Sequence, residues 1–128
     1  MHKGFLITAS LLGALSVALG AFAAHGLRKV LSPEEVATFE TGVRYQFYHV
    51  FALLSVAIVY EKFSGSLMQW AGNCFIIGII LFSGSLYLMA ALRATESVGV
   101  SKLGIITPFG GLFFIAGWML MLIAFIRK

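Results

Sequence analysis

Glu40, Arg44, Tyr45 and His49 place four chemically able side chains within ten residues, and their spacing is helical. Glu40 and Arg44 stand four apart, in the order that favours an ion pair along one helix face. Tyr45 and His49 are also four apart and share a face one turn further on. His25 lies earlier in the chain, at the end of a long apolar run, where a short connection brings it to the same side. Arginine as anchor and histidine as adjustable donor suit the binding of an anionic headgroup or a small ligand. The same residues also suit an interfacial belt, with tyrosines at headgroup level, arginine snorkelling and histidine satisfied by a neighbouring helix. The belt is the favoured reading, because all these residues lie near an interface where polar groups cost little.

Other chemistry finds less support. Cys74 is the single cysteine, so one chain has no disulfide framework. The three histidines do not show metal-ligand spacing, and no metal or cofactor is expected. His25 and His49 as a pair of haem ligands would sit near an interface and not in mid-bundle. Ser83 and Ser85 have no histidine or lysine at matching depth, which argues against a serine hydrolase. The net charge of +4 needs no nucleic acid, because flanking cations against anionic lipid account for it.

The elements that must hold these residues are four long apolar runs, at about 4–24, 43–60, 67–92 and 105–126. Of the 128 residues 60% are hydrophobic and 11% charged, with a mean hydropathy of +0.98. A small globule cannot hide that much apolar surface. A spanning helix takes about 20 apolar residues, and continuous runs exclude the alternation of a barrel. The expected fold is an all-α membrane protein, a single domain of four transmembrane helices in an antiparallel bundle. The first run also resembles a secretory signal, with Ala21-Phe22-Ala23 as its cleavage site. Its length and its small residues Ser16, Gly20 and Ala24 argue for retention, since that spacing lets two backbones approach.

With four spans both termini share one side, assigned here to the cytoplasm. Lys3, Lys62, Arg127 and Lys128 lie on that side, and Arg28, Lys29, Arg44, Arg93 and Lys102 on the other. The near tie gives little orientation from the positive-inside rule. Ser32-Pro33-Glu34-Glu35 spells a helix start with a capping box. The spacing predicts a short amphipathic interfacial helix over 33–42, bending at Gly42 into the second span. Ser83-Gly84-Ser85 interrupts the third run, where small polar residues usually serve helix packing. Gly110, Gly111 and Gly117 make a second seam in the fourth, after Thr107-Pro108. None of the runs has a carboxylate or amine near its centre, which weighs against a proton-coupled transporter.

Four ordered blocks carry a resemblance. They are Gly20-Ala21-Phe22-Ala23-Ala24-His25-Gly26-Leu27, the stretch from Thr38 through Glu40, Gly42 and Arg44 to His49, Phe82-Ser83-Gly84-Ser85-Leu86-Tyr87, and Ile106-Thr107-Pro108-Phe109-Gly110-Gly111 with Gly117-Trp118. Together they resemble the signature blocks of the domain of unknown function number 423 family, small YgdD- and YwdK-like bacterial membrane proteins. The resemblance spans essentially the whole chain. It implies a four-helix protein of the bacterial inner or plasma membrane with its first helix retained, and it implies no activity.

The expectation is therefore a non-enzymatic structural or accessory membrane component, in contact with lipid and able to self-associate or to dock on a larger membrane partner. The alternative is a lipid- or small-ligand-binding protein, an oligomeric channel or transporter among the options, using His25, Glu40, Arg44, Tyr45 and His49.

Overall fold

The computed structural model describes residues 1–95 and 100–128. Helix α1 covers Lys3–His25, and a 3-10 turn follows at Leu27–Lys29. Helix α2 covers Pro33–Val59. The third span is α3 (Ser66–Gly78), a π-helical segment (Ile79–Ser83) and α4 (Gly84–Ala94) in direct succession. A short α5 (Val100–Leu103) precedes α6 (Ile106–Ile126). Four helical stretches, Lys3–Lys29, Pro33–Val59, Ser66–Ala94 and Ile106–Ile126, are long and apolar enough to cross a membrane.

The first two spanning helices start at local caps. His2 caps α1, its Nδ1 accepting from the Phe5 amide at 3.1 Å. At α2, Ser32 Oγ accepts from the Glu35 amide at 3.3 Å, and Glu35 Oε2 accepts from the Ser32 amide at 3.0 Å. That capping box satisfies two donors that a helix start leaves free. From there α2 runs unbroken to Val59, so the expected amphipathic segment 33–42 is the first part of the same helix. Gly42 does not break it. Its missing side chain instead admits the third span, since a Cβ there would stand 3.0 Å from Tyr87 and 3.5 Å from the Ser83 carbonyl.

Packing is by narrow seams. In α1 the buried residues are Phe5, Ala9, Ser16 and Ala23, the last three seven apart. In α6 they are Gly110, Phe114, Gly117, Met121 and Ala124, at alternating steps of four and three. Such stripes are those of helices packed along one partner, with the remaining surface facing outward. Ile7, Leu11 and Leu15 on α1, and Leu112, Ile115 and Met119 on α6, are exposed accordingly. Lipid covers those faces, because water would not tolerate so continuous an apolar surface.

Between α3 and α6 the fit is reciprocal. A Cβ on Gly78 would overlap the Phe114 ring, and one on Gly117 would stand 2.6 Å from the Phe75 ring. Each phenylalanine fills the notch that the opposite glycine leaves. Across the bundle, Gly20 faces Val43, where a Cβ would make ordinary contact at 3.5 Å. The π segment is held from two sides, with Gly42 on α2 against Ser83 and Gly110 on α6 against the Phe82 main chain.

The ends are fastened by polar contacts. The His2 amide donates to the Ala57 carbonyl at 2.9 Å, joining the start of α1 to the end of α2. The N-terminal ammonium lies 2.6 Å from Glu61, and this hydrogen bond holds the Glu61 carboxyl below its ordinary range. Lys128 Nζ donates to the Lys62 carbonyl on the same side. On the opposite side Arg93 pairs with Glu35 at 3.3 Å, joining the end of α4 to the start of α2.

Candidate functional site

The five residues expected to converge do not form one cleft. His25 is exposed at the end of α1. Arg44 is exposed and donates to Thr41 Oγ1 at 3.1 Å. It does not pair with Glu40, and the described residues contain just two ion pairs, Met1–Glu61 and Arg93–Glu35. The hydroxyl three residues back lies toward the helix start, so the guanidinium turns toward the membrane surface. His49 is buried one turn deeper, where its ring reaches Phe114 of α6. Residues five apart differ by about 140° around a helix, which is why Arg44 and His49 separate.

His49 stands in an aromatic nest. Its ring stacks on Phe114 with centroids 3.5 Å apart and planes 5° from parallel, and Phe75 and Trp118 stand at 5.6 and 6.0 Å. Nδ1 lies 2.7 Å from the Tyr45 carbonyl, and Trp118 Nε1 donates to Nε2 at 3.1 Å. A carbonyl only accepts and an indole N–H only donates, so the proton sits on Nδ1 and Nε2 offers its lone pair. Both nitrogens are used. A metal, a haem or a transferred proton would have to displace one of these bonds first. Tyr45 is partly exposed and lies over Phe82, its ring 4.8 Å away.

A second centre is formed by Gln46, which is not among the five expected site residues. It is 2% exposed. Its Nε2 donates to the Leu12 carbonyl on α1 at 2.9 Å, and its Oε1 accepts from the Tyr87 hydroxyl on α4 at 2.6 Å. Ser16 Oγ donates to the same Leu12 carbonyl at 2.8 Å. Nearby, Ser83 Oγ donates to the Gly42 carbonyl at 2.6 Å. Ser85 is bonded to Thr107 Oγ1 at 2.6 Å, joining α4 to α6. A polar residue between Val43 and Val50 on the buried stripe of α2 is the signal that marks Gln46 in the sequence.

A third network closes the end that carries the termini. His2 Nδ1 accepts from Phe5, so Nε2 carries the proton and donates to Gln69 Oε1 at 3.0 Å. Tyr60 donates to the same oxygen at 3.0 Å, and Gln69 Nε2 donates to Asn73 at 3.4 Å. Among the residues expected to line packing seams, Ser16 and Ser83 are fully buried and Ser85 nearly so, while Gly20, Gly110 and Gly117 face another helix. Ala24, Gly84 and Gly111 are half-buried, and a Cβ on Gly84 or Gly111 would meet its nearest atom only at 4.0 or 3.9 Å.

Four spans with polar groups turned inward and apolar groups outward define an integral membrane protein built as a helical bundle. The family model described as "Protein of unknown function (DUF423)" matches residues 19–111. The chain belongs to that family. It is 39% identical over 122 residues to the UPF0382 membrane protein SH2409 of Staphylococcus haemolyticus, covering 95% of this chain and 94% of that one. It is 38% identical over 126 residues to the UPF0382 membrane protein YwdK of Bacillus subtilis, covering 98% of each. It is also 38% identical over 122 residues to the UPF0382 inner membrane protein YgdD of Escherichia coli, covering 95% of this chain and 88% of that one. No solved structure matches it.

Proposed function

We infer that this chain is a non-catalytic structural or accessory component of its membrane, acting through its bundle and through association with a second copy or a larger membrane protein. One observation carries the reading. Among the described residues no buried side-chain nitrogen or oxygen lacks a hydrogen-bond partner, and the partners of Gln46, Tyr87, Ser83, Ser85 and His49 include groups on other helices. Small and polar side chains that hydrogen-bond from one spanning helix to another serve helix packing. Here these groups are spent on holding helices together. Lipid contact follows from the exposed apolar faces, and association uses the same faces.

Native mass spectrometry of the protein taken from its own membrane in polymer-bounded lipid discs tests this. The reading expects a defined stoichiometric assembly. A monomer carrying one bound metabolite, lost on replacing His49 or Gln46 without loss of fold, contradicts it.

A further inference from the structure

Where α1 gives way to α2, a cleft of about 290 Å³ opens between the 3-10 turn and the first turns of α2. Leu31, Pro33, Val36 and Ala37 give it an apolar floor, with Leu31 and Val36 buried. Two charged side chains of opposite sign, Arg28 and Glu40, line the same cleft. They are not joined to each other, and neither makes an ion pair with any described residue. Glu40 is half-buried. Its neighbours do not consume it either, since Arg44 is bonded to Thr41 and Glu35 has taken Arg93. Arg28 lies at the end of the first candidate span and Glu40 two turns from the start of the second, at the end of the bundle away from the termini.

We propose that this cleft binds the headgroup of an aminophospholipid, with the phosphate on Arg28, the primary ammonium on Glu40 and the glycerol end over the apolar floor. A guanidinium suits a phosphate diester through paired N–H donors. A carboxylate recognises a primary ammonium through charge-assisted hydrogen bonds, which a quaternary ammonium cannot donate. A purely anionic lipid would satisfy Arg28 and set its charge against Glu40. The unjoined cation and carboxylate therefore select a zwitterion with N–H donors.

The test is lipid retention by native mass spectrometry. The full-length protein is reconstituted in discs of equal parts phosphatidylethanolamine, phosphatidylglycerol and phosphatidylcholine. Wild type is expected to retain phosphatidylethanolamine over phosphatidylcholine by about tenfold, the scale of one charge-assisted hydrogen bond. Glu40→Gln should remove that preference, and Arg28→Gln should weaken retention of all three lipids. Both positions are surface-accessible, and an unchanged melting temperature confirms the fold of each variant. Equal retention of the three lipids by wild type overturns the proposal, as does a preference that survives Glu40→Gln. Water-soluble phosphoethanolamine binding as tightly as the lipid overturns the lipid assignment.

Discussion

Tyr87 on α4 gives its hydroxyl proton to Gln46 on α2 at 2.6 Å, and the same amide side chain donates to the Leu12 carbonyl on α1. Two side chains thereby tie three helices, with the Gln46 amide buried between them. In lipid the hydrophobic effect does not hold helices to one another, so packing and such links carry association. Gln46→Leu and Tyr87→Phe should each lower unfolding stability in bilayer discs by about 0.6 kcal/mol, with ~1.7 kcal/mol as the upper range. The double variant should lose less than the sum, because the two share one bond. Additive losses in a double-mutant cycle would show that the bond contributes nothing.

Gly110 and Gly111 are neighbours with opposite expected sensitivities. A Cβ on Gly110 would stand 2.7 Å from Phe82 Cα and would overlap the Phe82 nitrogen, whereas one on Gly111 meets nothing closer than 3.9 Å. Gly110→Ala should destabilise by about 1–3 kcal/mol, the usual cost of overpacking. Gly111→Ala should be close to neutral. Thermal unfolding of the two variants side by side checks the difference, and equal behaviour would mean that α6 does not abut the π segment.

His49 separates stacking from hydrogen bonding. His49→Phe keeps the ring against Phe114 and forfeits the bonds to Tyr45 and Trp118, a loss of about 1–3 kcal/mol. His49→Ala also opens a cavity beside Phe75 and Phe114, and its cost should be the larger, roughly 2–5 kcal/mol. Unfolding followed by Trp118 emission in a Trp70→Phe background reads both variants at the site.

Arg44 should matter little to the fold. It is exposed, and its one bond runs to Thr41 on its own helix. Arg44→Gln is expected to shift unfolding by less than about 0.5 kcal/mol. A shift well above that would mean that the guanidinium is bound to something beyond Thr41.

The spans were legible because run length and continuous hydropathy report directly on crossing a bilayer. The start of α2 was legible because Ser32-Pro33-Glu34-Glu35 acts through local hydrogen bonds alone. Contacts between helices were less so. Periodicity places Glu40 and Arg44 on one face, but cannot show that Thr41 takes the guanidinium and that Glu40 turns to the Arg28 cleft. The π segment at Ile79–Ser83 left no mark in hydropathy, since Ile, Leu and Phe suit an α-helix equally well. Ser83 is visible in the sequence as a break in an apolar run. Its bond to the Gly42 carbonyl, forty-one residues away, is tertiary and has no local signature.

That the polar interior holds helices together and carries no reaction is our proposal. Its most direct test is the lipid and metabolite profile of a deletion strain complemented with wild type, His49→Phe or Ser83→Ala, each variant verified at wild-type abundance in the membrane. The three complemented strains are expected to share one profile. A compound that accumulates in the deletion strain and in a variant strain, but not with wild type, would contradict it.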